Sequence, residues 1–317
     1  MKVMVTGGSG FLGSHIADAL SDAGHEVVVF DLAPSRWLRS DQKMTVGDIL
    51  DSDAIAKAMR GCEAVYHLAA MADINEALDS PRRAVEVNVM GTVNVLEAAR
   101  MHRVRRVVFA SSIYVYSNQG SFYRTTKQAC EHLIGDYHDR FGLEFTVLRF
   151  GSLYGPRADR SNSVFRLLSQ ALTERRIDYY GTGEEVREYI HVLDAAAMSV
   201  DVLGPEFANQ YIHLTGRERM TSRDMLGMIR EIMGGDIELN FQAMSPAGHY
   251  VQSPYNYTPK LGRRLMRSTY IDLGLGILDY LQRIDHAREQ EQGHVEAAGS
   301  TAVEQTFETR IRGAKIS

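Results

Sequence analysis

Residues 2–13 read KVMVTGGSGFLG, and SHIADALSDAG follows directly over 14–24. A short apolar run, a glycine-rich turn and apolar residues at helical spacing predict a strand, a turn and a helix in immediate succession. Gly7, Gly10 and Gly13 form a GxxGxxG pattern. Such glycines let the backbone turn tightly and let a pyrophosphate approach the free N–H groups at the helix N-terminus, where the helix dipole also favours an anion. Phe11 and Leu12 belong to that same turn and are grouped with the cradle.

The rhythm continues outward. Strand patterns at 26–30 (EVVVF), 44–46, 64–68 and 106–110 alternate with helical patterns at 52–59 and 81–100. A long helical pattern at 123–141 is followed by a sixth strand, EFTVLRF, at 144–150. This alternation implies an α/β fold: a Rossmann-type, doubly wound parallel sheet with right-handed crossovers. Asp31 ends the second strand 18 residues beyond Gly13, where an acid accepts the ribose hydroxyls of a dinucleotide and repels a 2′-phosphate. NAD is therefore expected over NADP, with Arg36 the nearby feature that would favour the latter. Asp48 and Ile49 follow the third strand, where an adenine ring would lie. Leu68, Ala69 and Ala70 follow the fourth, with small side chains that allow close approach to the cofactor.

A second stretch, FASSIYVYSNQGSFYRTTKQACE at 109–131, carries the chemistry. Tyr123 and Lys127 are four apart, so a helix places them on one face. An ammonium beside a phenol favours phenolate, and an oxidised nicotinamide would lower the phenol further from its usual ~10. Such a phenolate takes the proton of a sugar hydroxyl while the same carbon yields hydride to NAD. Ser112, at the end of the fifth strand, can hold the substrate oxygen. The set Ser112, Tyr123 and Lys127 is the expected catalytic constellation, with Tyr123 and Lys127 also on the cofactor.

Composition bounds the alternatives. A net charge of −5 over 317 residues argues against a general nucleic-acid binder. Two cysteines, Cys62 and Cys130, make no disulfide framework and point to a reducing, cytoplasmic setting. No run is long enough for a membrane span, and the first strand leaves no room for a signal peptide. The eleven histidines show no HExxH-type spacing, so no metal is expected, and His67 and His191 read as packing residues.

Beyond residue 150 the alternation loosens. Helical patterns near 164–174, from 192, at 222–233 and at 271–283 mix with strand patterns around Tyr179 and Tyr189 and at 210–214 and 237–241. The expected division is a cofactor-binding domain over 1–150 with later returns, a smaller lobe over 151–286, and a polar tail or arm over 287–317.

GGSGFLG, Asp31, GDI, HLAA, NVMGT, SSIYVY, YRTTK, LRFGSLYGPR and GTGEEVREYIHVLDAA together resemble the extended short-chain dehydrogenase/reductases of the nucleotide-sugar epimerase and dehydratase type, UDP-glucose 4-epimerase-like, over about 2–281. The resemblance implies that Ser112, Tyr123 and Lys127 are catalytic and that Lys127 also holds the nicotinamide ribose. It implies that Asn88 is a structural and cofactor-side residue, that Phe150 borders the nicotinamide and that Arg187 grips the pyrophosphate of a nucleotide-diphosphate sugar. Ser152, Asn162, His249 and Tyr250 are further candidate substrate contacts, and a homodimer through the 81–100 and 123–141 helices is expected.

One departure narrows the chemistry, and three others bear on how the nucleotide and the sugar are recognised. Ile113 and Tyr114 stand where 4,6-dehydratases carry an Asp-Glu pair, so no carboxylate is present there to eliminate water. The 116–123 linker is much shorter than the family's proline-containing loop. Ser152 replaces the family's usual Asn, and the late arginine of the substrate lobe has no clear match. The reading is an NAD-dependent nucleotide-sugar C4 epimerase; the alternatives are a nucleotide-sugar 4-dehydrogenase or 4-ketoreductase and a non-catalytic NAD-binding regulator.

Overall fold

The computed structural model describes residues 1–117, 119–242 and 262–290. His249, Tyr250 and the tail from 291 onward lie outside the described residues. The first part of the chain forms β1 (Lys2–Thr6), α1 (Phe11–Asp22), β2 (Glu26–Asp31), β3 (Gln42–Val46), α2 (Ser52–Ala58) and β4 (Ala64–His67). It continues with α3 (Ile74–Asp79), α4 (Pro81–Val85), α5 (Gly91–Met101), β5 (Arg106–Ser112), α6 (Ser121–Phe141) and β6 (Glu144–Phe150). Then follow β7 (Ser152–Tyr154), α7 (Ser163–Glu174), β8 (Arg176–Tyr180), β9 (Val186–His191), α8 (Val192–Asp201), β10 (Gln210–Leu214), β11 (Arg219–Thr221), α9 (Ser222–Ile232), β12 (Glu238–Gln242) and β13 (Arg263–Arg264). Among the described residues the final helix, α10, covers 273–290, so the polar segment expected from 287 begins as helix.

Eight strands make one sheet in the order β13-β10-β6-β5-β4-β1-β2-β3, with every pairing parallel. The chain runs outward from β1 through β2 to β3, then crosses back to place β4 on the other side of β1. That reversal opens a crevice at the carboxyl ends of β1 and β4, the place where this kind of sheet binds ligands. Because both faces are covered, the central strands are apolar without interruption, and alternate residues serve opposite cores. Val3 and Val5 face a cluster with Ile16 and Leu20 of α1 and Ala195 and Met198 of α8. Met4 faces Ile55, Val95, Leu96 and Ile134 from α2, α5 and α6.

The later chain builds a three-stranded sheet, β11-β9-β7, and a two-stranded one, β12-β8. Helices α7, α9 and α10 pack there around Leu168, Ile177, Leu226, Ile229, Ile277 and Tyr280. β10 and β13 return to the edge of the large sheet. The short elements α3, β7 and β11 carry too few residues to show a period in sequence.

The single helix expected over 81–100 is one continuous helical run containing a π-turn, Glu86–Met90. Buried Asn88 sits in that turn. Its Oδ1 accepts from the Met71 N–H at 2.7 Å, and its Nδ2 donates to the Met71 carbonyl at 3.1 Å and to Thr126 Oγ1 at 3.0 Å. Widening the turn frees the Asn88 carbonyl to accept from Thr92 Oγ1 at 2.5 Å and from Cys130 Sγ at 3.1 Å. One amide thus ties the loop after β4 to α6. Asn88→Ala leaves the half-buried Met71 N–H without this partner and is expected to lower unfolding free energy by ~1–3 kcal/mol in chemical denaturation, with an unchanged m-value.

Candidate active site

Gly7 turns the chain out of β1 with φ +72°, its N–H donating to the Phe30 carbonyl at 2.9 Å. A Cβ on Gly7 would fall 2.6 Å from the Ala69 N, and one on Gly13 would fall 2.1 Å from the Gly7 carbonyl oxygen. The first and third glycines are therefore required by packing of the turn against α1 and against the loop after β4, whose Leu68, Ala69 and Ala70 are half-buried there. Gly10 is the N-cap of α1 and no side chain caps it. The first-turn N–H groups of Phe11, Leu12 and Gly13 are thus available to an anion.

Asp31 ends β2 half-buried, and its Oδ2 accepts the Ser9 N–H at 2.9 Å, which fastens the acid to the glycine turn. Arg36 lies over the Trp37 ring at 5.2 Å, with Arg157 also over that indole at 4.9 Å. A carboxylate at the strand end and a guanidinium held on an indole suit NAD. Asp48 is turned to its own loop, accepting the Leu50 N–H at 2.9 Å. The Ile49 side chain lies in the core against Gly91, where a Cβ would come within 2.4 Å of Ile49 Cδ1. Phe150 is likewise in the core, and its place near the site comes through register, its Cα paired with that of Ser112.

Ser112, Tyr123 and Lys127 are brought together. Ser112 ends β5 and caps a 3₁₀ turn over Ile113–Tyr116, its Oγ accepting the Tyr114 N–H at 3.3 Å. The serine proton is left to donate, and its hydroxyl is hydrogen-bonded to the Tyr123 phenol. Lys127 is buried; its Nζ donates to the Ala110 carbonyl at 2.7 Å and lies 4.7 Å from the Phe109 ring centre and 5.8 Å from that of Tyr123.

Burial acts on both groups. It pushes the Lys127 ammonium down to about 8, opposed by Cys130 and Glu131. It pushes the Tyr123 phenol up to about 12, opposed only by the Ser112 hydrogen bond. Of the two influences expected from sequence, the ammonium and an oxidised nicotinamide, burial works against the first, since it lowers the lysine and raises the phenol. The phenol needs a further positive charge beside it. Buried His67 is held neutral, pushed down to about 3, and joins Thr6 Oγ1 at 2.8 Å to Thr92 Oγ1 at 3.0 Å, the packing role read from sequence.

The short linker folds back on α6. Gly120 takes φ +96°, and a Cβ there would meet Tyr114 Cδ1 at 2.7 Å. Arg124 Nη1 donates to the Ser117 carbonyl at 3.2 Å and Gln128 Nε2 to that of Val115 at 2.9 Å. On the substrate side, Ser152 pairs with Tyr189 across β7 and β9. Asn162 caps α7, accepting the Phe165 N–H at 3.0 Å and donating to the Leu153 carbonyl at 2.8 Å, so its amide is engaged by protein. Arg187 lies on β9, half-buried, with Nη1 on the Val186 carbonyl at 3.0 Å. No metal-binding group of His, Cys, Asp and Glu occurs among the described residues.

Behind the triad is a network the sequence reading missed. Ser111 Oγ donates to Glu131 Oε1 at 2.6 Å, and Arg149 grips Glu131 through Nε at 3.0 Å and Nη2 at 2.6 Å. Arg149 Nη1 donates to the Tyr116 hydroxyl, which meets His213 Nε2 at 2.5 Å. The available signal was that Glu131 stands four residues beyond Lys127.

The sequence model described as the NAD dependent epimerase/dehydratase family matches residues 3–210. The chain belongs to that family. Among its relatives, a UDP-glucose 4-epimerase of Mycolicibacterium smegmatis is 30% identical over 267 residues, 76% of this chain and 85% of that protein. A dTDP-glucose 4,6-dehydratase of Streptomyces niveus is 28% identical over 279 residues, 78% of this chain and 82% of that protein. The solved UDP-glucose 4-epimerase of Thermus thermophilus, in complex with NAD, is 28% identical and superposes with a TM-score of 0.74, covering 89% of this chain and 98% of that one. Membership in an NAD dependent family agrees with the glycine cradle and Asp31.

Two outcomes follow for this family member. Gly13→Ala should weaken NAD binding roughly 100-fold by calorimetry, about 2.7 kcal/mol. The Tyr123 phenolate absorbance, isolated by subtracting a Tyr123→Phe titration, should have its midpoint near 12 without NAD and a lower one with NAD bound.

Proposed function

We propose that this protein is an NAD-dependent nucleotide-sugar C4 epimerase. The observation that carries the reading is the convergence of Ser112, Tyr123 and Lys127 at the open end of β5, with no carboxylate at positions 113 and 114. In this reading residues 1–150 hold NAD, residues 151–286 mainly hold the nucleotide sugar, and Arg187 takes its pyrophosphate through bidentate guanidinium donors.

NAD bound in the glycine cradle would supply the hydride acceptor and a positive charge beside the phenol. Tyr123, lowered by that charge, takes the proton from the C4 hydroxyl of the sugar. Ser112, whose oxygen already accepts the Tyr114 N–H, keeps its proton and donates a hydrogen bond to the same sugar oxygen, which holds the 4-keto state. Lys127 binds the nicotinamide ribose and keeps a donor fixed on the Ala110 carbonyl. Turning of the 4-keto sugar before the carbon is reduced again gives the epimer. Elimination of water would need an acid at 113 or 114, where Ile and Tyr stand.

Purified enzyme incubated with UDP- and dTDP-hexoses should yield the C4 epimer without accumulating reduced cofactor. Stoichiometric keto sugar or reduced cofactor would instead establish the net dehydrogenase or ketoreductase reading. Tyr123→Phe should retain NAD and lose at least ~100-fold in kcat; unchanged turnover in that variant would remove the mechanism.

The same reading includes a cytoplasmic role in carbohydrate biosynthesis, supported by the buried free thiols of Cys62 and Cys130. No helix among the described residues is long and apolar enough to cross a membrane. It also includes a homodimer. Val85, Met90 and Met101 on the run from α4 through α5, and Phe122 and Phe141 on α6, are exposed apolar side chains that a second copy would cover. Light scattering should give twice the chain mass, and Met90→Glu should shift it to one.

A further inference from the structure

We infer that Glu131 is a positioning residue that clamps the end of β5 to α6 and keeps Lys127 charged when NAD is bound. The inference deepens the active-site reading but depends only on NAD binding and on Lys127. Glu131 is buried, one helical turn beyond Lys127 on α6. Its carboxylate accepts three hydrogen bonds, from Ser111 Oγ at 2.6 Å and from Arg149 Nε and Nη2 at 3.0 and 2.6 Å. Ser111 is the residue before Ser112. Through Arg149 the same carboxylate reaches Tyr116, at the far end of the 3₁₀ turn that Ser112 caps. The strand bearing the serine, the turn after it and the helix bearing the phenol and amine therefore share one buried anchor.

The electrostatic consequence is specific. The ionisable groups around Lys127 are Tyr123, Cys130 and Glu131 on its own helix and His67 on β4, with Arg149 of β6 behind Glu131. His67 is neutral, and burial raises both the Tyr123 phenol and the Cys130 thiol, keeping them protonated. Cys130 and Glu131 oppose the desolvation that drives the ammonium down to about 8, and among the described residues Glu131 is the carboxylate of that pair. Without it the lysine loses its proton at lower pH. A neutral amine gives the ribose a weaker hydrogen bond than an ammonium does.

The test is the Kd for NAD as a function of pH, which requires no sugar turnover. The wild-type Kd should be flat below about pH 8 and rise above it. Glu131→Gln combined with Arg149→Met removes both buried charges at similar volume and avoids stranding the guanidinium. In that double variant the rise should begin about one pH unit lower. Where sugar turnover is measurable, its kcat should fall about tenfold with KM for the sugar within about twofold, since Ser112 is displaced from the transition state rather than from substrate binding. A folded double variant with the wild-type pH dependence of NAD binding would overturn the inference and leave the epimerase reading untouched. Failure to find sugar turnover, with the pH shift present, would overturn the epimerase reading alone. Should the double variant not fold, Glu131→Gln alone, which leaves the Arg149 cation unpaired behind Lys127, should move the rise to lower pH by at least as much, and a folded Glu131→Gln protein with the wild-type pH dependence would overturn the inference.

Discussion

The structure depends on one constraint: a buried lysine ammonium that must be held where its neighbours can keep it charged. Lys127 is sealed between β5 and α6, fastened to the Ala110 carbonyl and stacked near Phe109 and Tyr123. Burying a cation is costly unless it is hydrogen-bonded and compensated; here a backbone oxygen accepts from it, and Cys130 and Glu131 oppose the desolvation. Parallel pairing of β4, β5 and β6 puts the strand end and the helix start at the same level, so the Ser112 hydroxyl arrives beside the phenol.

The cofactor crevice is a consequence of topology rather than of any one side chain. Reversal of strand order between β1 and β4 opens the sheet, the glycine turn fills it with backbone, and α1 begins there uncapped. The close approaches at Gly7 and Gly13 leave no volume for a methyl group, so the turn is fixed by hard contact. With the phenol raised to about 12 by burial, the base is not poised in advance; the charge that lowers it comes with the oxidised cofactor.

Much of this was legible in the chain. The central strands and α1, α2, α6 and α8 announce themselves because burial on both sheet faces enforces long apolar runs and strong helical periods. Asp31, the glycines and the Ser112, Tyr123 and Lys127 set follow from spacing, since strand ends and helical turns have fixed geometry. The Glu131–Arg149 network was not legible, because nothing in sequence indicates that a strand arginine and a helix acid meet inside the core. Ile49 and Phe150 are near the site along the chain, and what spacing does not give is that their side chains face the core. The π-turn at Asn88 could not be read either, since one widened turn barely disturbs the period of a twenty-residue pattern.

Isotope retention at the reacting carbon tests the central claim most directly. A nucleotide sugar deuterated at C4 is incubated with the enzyme in ordinary water, and the product is examined by NMR and mass spectrometry. If Tyr123 removes only the hydroxyl proton while the carbon-bound hydrogen leaves and returns as hydride, the inverted product retains its deuterium. Inversion with deuterium lost to solvent would mean that the carbon itself is deprotonated, and the role assigned to the phenol would be contradicted.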